Sequence, residues 1–155
     1  MSYNAKVFRR QGGNELVVAS GGKITVEAGG VVDNIGAVAG ATIVVGAEAA
    51  NVRLITIQLT DGAGADITVR QVVTVVVLLD ANGDAIVTTG GSTGIAIGTD
   101  GAILATVVAK KVFLVVSEAD GDIDLSWTDT GTEVAYLGVV LPNGKLVIST
   151  ALTNT

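Results

Sequence analysis

The chain has 155 residues, 49 % of them hydrophobic but only 15 % charged, with 21 Gly, one Pro, no Cys and no His. These counts exclude a disulfide framework, Cys/His zinc sites and any histidine base, and so much apolar, β-branched character is foreign to a disordered chain. A net charge of −6 argues against a general attraction to nucleic acid.

The charge is unevenly spread from the start. Lys6, Arg9 and Arg10 give the first ten residues +3, which leaves −9 on the other 145. A basic opening on an acidic body suits docking onto an acidic partner; a solvated terminus is the plainer reading. Up to residue 50 the glycines come in close order: Gly12-Gly13, Gly21-Gly22, Gly29-Gly30, Gly36, Gly40 and Gly46. Short apolar pieces lie between them: Leu16-Val17-Val18, Ile24-Thr25-Val26, Val31-Val32 and Ile43-Val44-Val45. Strands so short bury little alone. Residues 1–50 therefore read as an N-terminal arm of short β rungs, solenoid- or prism-like, for docking or oligomerisation. A loosely ordered Gly/Ala-rich stretch is the alternative for residues 28–50.

Beyond residue 50 the pitch lengthens. Asp61-Gly62, Asn82-Gly83, Asp100-Gly101, Asp120-Gly121 and Asn143-Gly144 recur about every twenty residues, and such dipeptides accept the positive φ angles of tight turns. Gly90-Gly91, residues 109–111 and Gly131 break the intervals. A combined spacing near ten residues predicts an all-β fold, an antiparallel sandwich or barrel over residues 51–155. Ile123, Leu125 and Trp127 alternate with Asp122, Asp124, Ser126 and Thr128, so this strand has one buried and one wet face. Residues 72–79, 112–116 and 134–141 are apolar on both faces, which predicts cover from a second sheet on one side and a sheet or another subunit on the other. No convincing helix emerges. The apolar runs are too short or too interrupted for a membrane span, and no secretory signal is evident, so a soluble protein made in the cytoplasm is expected.

Candidate chemistry is sparse. Asp120, Asp122 and Asp124 resemble the start of a calcium loop, but Leu125 stands where the tight turn needs Gly and Gly131 where a bidentate Glu is needed. Strand alternation accounts for them, with Asp129 and Glu133, as structural acids; Asp80 and Asp84 flank a hairpin turn at Asn82-Gly83. Paired carboxylates two apart on a strand lie about 7 Å apart, near the inverting glycosidase spacing. Sugar platforms are wanting, however, since only Tyr3, Phe8, Phe113, Trp127 and Tyr136 are aromatic. Gly90-Gly91-Ser92-Thr93-Gly94 lacks the Lys-Ser/Thr and helix of a phosphate loop and reads as a flexible surface loop. Lys110-Lys111 keeps a turn wet between two apolar strands. No enzyme, cofactor or metal site is expected.

Two segments resemble small virion proteins of tailed bacteriophages. One is the opening Tyr3-Asn4-Ala5-Lys6-Val7-Phe8-Arg9-Arg10-Gln11-Gly12-Gly13, continued by Val17-Val18-Ala19-Ser20-Gly21-Gly22. The other is the closing Ala135-Tyr136-Leu137-Gly138-Val139-Val140-Leu141-Pro142-Asn143-Gly144-Lys145, which looks like a C-terminal hairpin. The resemblance implies a non-enzymatic capsid decoration (cement) or head-fibre protein on the virion surface, whose partners are the major capsid protein and itself. Tyr3, Lys6, Phe8, Arg9 and Arg10 are the candidate shell contacts. Too few charges for so much apolar surface imply a homotrimer, with a dimer second. The competing reading is a β-sandwich module binding carbohydrate or a host surface through residues 88–98, as part of a head or tail fibre.

Overall fold

The computed structural model describes residues 7–9, 16–19, 22 and 38–154, with the backbone alone for 7–9 and 16–17. The chain forms two units, Met1–Asp33 and Asn34–Thr155. In the first, strand β1 (Val7–Arg9) pairs antiparallel with β2 (Leu16–Val18), with Phe8 opposite Val17. This is a two-stranded ribbon; Ile24–Val26 and Val31-Val32, expected as further rungs, lie outside the described residues.

The second unit is an all-β sandwich of two antiparallel sheets. Its strands are β3 (Gly40–Val45), β4 (Val52–Thr60), β5 (Val72–Leu78), β6 (Gly94–Ile97), β7 (Ala102–Val108), β8 (Val112–Val116), β9 (Asp122–Thr128), β10 (Tyr136–Val140) and β11 (Leu146–Ala151). One sheet has the order β3-β4-β9-β6 and the other β11-β10-β5-β8-β7. Only β3–β4, β7–β8 and β10–β11 are hairpins within a sheet, so a simple up-and-down order is excluded. The closing segment is indeed a hairpin, with Val140 opposite Leu146. No helix occurs among the described residues.

Ile43-Val44-Val45, read from the sequence as a rung of the arm, sits instead in β3, where Ile43 faces Ile57 across the ladder with β4. The sandwich thus begins upstream of residue 51. The reason is the alternation Ala41, Ile43, Val45, which packs against the core while Thr42 and Val44 point outward. β3 also packs against β11, which closes one side of the sandwich.

The core is built from alternate residues of both sheets: Ile55, Ile57, Leu59, Ile123, Leu125 and Trp127 from one, and Val73, Val75, Val77, Phe113, Val115, Leu137 and Val139 from the other. Such interdigitating inner faces lie about 10 Å apart. The strand alternation predicted for residues 122–128 holds throughout: Trp127 is 0 % exposed and Asp122, Asp124, Ser126 and Thr128 face out. The turns fall where the dipeptides placed them, with Gly83, Gly101, Gly121 and Gly144 at positive φ. At Asp61-Gly62 the left-handed residue is Gly64. There the Asp61 carboxylate accepts hydrogen bonds from the N–H groups of Ala63 and Ala65 and sets a longer turn.

Candidate functional site

The two outer faces of the sandwich differ in charge. On β5, β8 and β10 the residues between the core positions were expected to be covered by a second sheet or by another subunit; among the described residues no second sheet lies over them. Val140, Thr74, Leu114 and Ala105 form one outward row across four strands. Gly138, Val76, Val112 and Val108 form the next. The five strands of this sheet contain no Asp, Glu, Lys or Arg. Only one corner is roofed, where Gly83 in the turn after β5 lies against Leu146, Ile148 and Leu78. A Cβ on Gly83 would sit 2.8 Å from Leu146 Cδ2, so glycine is what lets the turn close down. The edge strand β7 carries two bulges, one between Ile103 and Ala105 and one between Thr106 and Val108. Each leaves an extra apolar residue, Leu104 and Val107, exposed at 54 % and 65 %.

The outer face of β3-β4-β9-β6 carries acids beside two exposed apolar side chains, Val44 and Leu54, at 58 % and 66 %. Thr42, Gln58 and Asp122 form one row, and Val44, Thr56 and Asp124 the next. Asp100, from the turn between β6 and β7, joins Asp122 and Asp124, so that one carboxylate oxygen of each lies within 4.8 Å of the others. Sequence spacing links Asp122 to Asp124, but only the fold brings in Asp100, through the hydrogen bond from Asp124 N–H to its carbonyl at 2.9 Å. The pKa of Asp100 is raised by desolvation and by the charges of Asp124, Asp120 and Glu118. That of Asp122 is raised by desolvation and by Asp124. Asp122 Oδ1 is buried without a hydrogen-bond partner. Thr56 Oγ1 donates to Asp124 Oδ1 at 3.0 Å. The cluster is a concentration of repelling negative charge on one face.

Asp129 and Glu133 act elsewhere. The loop 89–92 turns a series of backbone N–H groups toward them. Thr89 Oγ1 and N–H and the N–H groups of Gly90 and Gly91 all donate to the Glu133 carboxylate, the last at 2.6 Å. Ser92 N–H donates to Asp129 Oδ1 at 3.0 Å, and Glu133 N–H to Asp129 Oδ2 at 3.1 Å. Consecutive N–H groups of this kind make an anion-binding concavity, and here the chain fills it with its own carboxylates. Burial pushes Glu133 up, but these hydrogen bonds outweigh it and hold its pKa below the usual value. Lys110 Nζ donates to the Ser92 carbonyl at 2.6 Å. The stretch expected to be a flexible surface loop is thus tied down from three sides, and Lys110, expected only to keep a turn wet, is one of the ties.

A second network was invisible in the sequence because its members lie a hundred residues apart. The Arg53 guanidinium donates to the Thr153 carbonyl, to Asn154 Oδ1 and to the Gly46 carbonyl. Buried Asn154 donates in turn to the carbonyls of Asn51 and Asp129 at 2.7 and 2.8 Å. The described surface includes two shallow depressions. One, of about 340 Å³, is lined by Asp61, Asp66, Ile67, Thr68 and Val69, and one of about 130 Å³ by Leu54, Thr56, Gly98, Thr99, Asp124 and Leu125. The smaller one contains the hydrogen-bonded pair Thr56 and Asp124.

Of the sequence-predicted contact residues, Phe8 and Arg9 lie on β1, while Tyr3, Lys6 and Arg10 fall outside the described residues. Among the described residues no helix is long and apolar enough to cross a membrane. No protein-family model matches the chain, and no curated protein or solved structure matches it.

Proposed function

We propose that the chain is a non-enzymatic structural protein of a tailed-phage virion, a decoration or cement protein that binds the outer shell and stabilises it. The supporting observation is the opening segment. Its Tyr-Asn-Ala-Lys-Val and Gln-Gly-Gly stretches resemble phage virion proteins, and it carries +3 on a chain of net charge −6. It belongs to a small unit separate from the sandwich. Residues 1–12 dock on an acidic patch of the major capsid protein, with Lys6, Arg9 and Arg10 supplying charge and Tyr3 and Phe8 apolar area. Complementary charge of this kind steers encounter and fixes register. The mechanism needs no turnover: buried area across capsomer boundaries, repeated over many copies, resists internal pressure.

The test is cosedimentation of the chain with purified phage shells that lack it, with and without residues 1–12. The full chain is expected to pellet with the shells, and the truncated chain to bind at least ~10-fold more weakly, a loss of about 1.4 kcal/mol. Undiminished binding of the truncated chain removes the role of the arm. No shell binding by the full chain, with retention on a glycan array, replaces this reading with the carbohydrate-binding one.

A further inference from the structure

We infer that the uncharged outer face of the strands β10-β5-β8-β7 is a self-association surface, and that its occupant is the same face of a second copy. The inference is independent of the shell, because it concerns the sandwich and not the opening segment. Three observations carry it.

The first is charge. The sandwich unit, residues 34–155, has five basic and twelve acidic residues, a net charge of −7. Two copies repel each other through most of their surface. The strands of this sheet carry no charge; Asp100, Asp122 and Asp124 are set around the opposite sheet, and Asp80 and Asp84 stand in the turn that roofs one corner of this one. Packing the uncharged faces together places the two acidic faces about 30 Å apart, three inter-sheet spacings. That is several times the ~8 Å screening length at physiological salt. Away from that corner an acidic or a basic partner finds no charge to pair with on these strands.

The second is area. Four strands at ~4.8 Å spacing and about six residues at ~3.3 Å rise, less the corner that the turn at Gly83 roofs over Gly138 and Leu78, give a footprint of roughly 320 Å². A ridged surface of side chains has more accessible area than its footprint, so two copies bury roughly 800 Å², which makes the association weak and concentration-dependent. A contiguous apolar patch of this size is comparable with the largest patch on a typical monomer, and such patches are often functional. The third is the exposure of Val72 and Val108, 42 % and 44 %, at opposite ends of the face, next to Leu104 and Val107 on the bulged edge. A face packed on the same face of a second copy is isologous, so the product is a two-fold dimer and not the trimer expected first from composition.

The experiment uses the full chain. Its mass is measured by light scattering after size exclusion from ~1 to ~100 µM, the range in which a dimer of this area dissociates. The expected result is a rise to twice the chain's 15.5 kDa. The double variant Val72→Glu/Val108→Glu is expected to stay at one chain's mass. Leu54→Glu, on the opposite sheet, is expected to dimerise as the wild type does. Both substituted valines are already exposed, so the fold is expected to survive. As a second readout that adds no charge, Val72→Cys gives the chain its only thiol, whose maleimide labelling should slow as concentration rises. The inference is overturned by a wild-type monomer at every concentration, by a trimer, or by a dimer that the double variant leaves intact. Labelling that is slow at every concentration would also overturn it, since the chain's own N-terminal unit would then cover the face.

Discussion

At the scale of single residues, the loop 89–92 shows how this sandwich uses charge inward. Gly91 has φ 74°, and a Cβ there would lie 2.8 Å from Trp127 Cη2 and 2.9 Å from the Thr128 carbonyl oxygen. Gly91→Ala therefore combines backbone strain with overpacking against the largest core side chain, and is expected to cost about 2–3 kcal/mol in urea unfolding. Glu133→Ala leaves the N–H groups of Thr89, Gly90 and Gly91 without their acceptor and is expected to cost about 1–2 kcal/mol by the same measurement. The pKa directions give two opposite pH effects. Glu133 is held below its ordinary 4.5, so its stabilisation is full above that value and is lost as pH falls through its folded-state value. Asp100 and Asp122 lie above their ordinary 3.8. Their desolvation and the repulsion from Asp124 are a penalty at neutral pH that is relieved as pH falls through their raised values and vanishes below 3.8. Asp100→Asn is expected to raise the urea midpoint at pH 7 and to leave it unchanged once the carboxyls are protonated.

At the scale of elements, alternation decided what could be read in advance. The strand 122–128 was legible because Ile123, Leu125 and Trp127 face the core and their neighbours are polar. For residues 72–79 and 112–116 the inner positions were legible but the outer cover was not, because Val72, Val76, Val112 and Leu114 give an apolar signal with no layer above them within the described sandwich. β3 was misplaced because its glycine-rich flanks match those of the arm; the pairing of Ile43 with Ile57 is a tertiary fact. Asp100 and the Arg53–Asn154 clamp were beyond reach for the same reason, since separations of 24 and 101 residues leave no periodic trace. That clamp holds the end of the chain after β11, where Leu152 is fully buried. Arg53→Ala is expected to destabilise by about 1–3 kcal/mol, since Asn154 and the Thr153 carbonyl lose their donor. Leu152→Ala is expected to cost about 2–5 kcal/mol through the cavity it opens. Both are read from urea midpoints, and a loss under about 0.5 kcal/mol for each would remove the clamp from the account.

At the scale of the whole molecule, the apolar, charge-poor composition has a location. Valine-rich strands free of any charge form one sheet, and Asp100, Asp122 and Asp124 gather on and beside the other. The basic opening segment belongs to a second unit. A dimer through the uncovered face would carry two such segments, and two weak contacts on one particle reinforce each other by effective concentration. As a proposed cement protein, the chain would be a repeated structural component of a particle. The most direct measurement is its copy number in purified virions by quantitative mass spectrometry against the major capsid protein. The account predicts copies in a fixed ratio to the capsid protein, on the order of hundreds per particle. A dozen or fewer would place the chain at a tail or a single vertex, and none would contradict the virion role altogether.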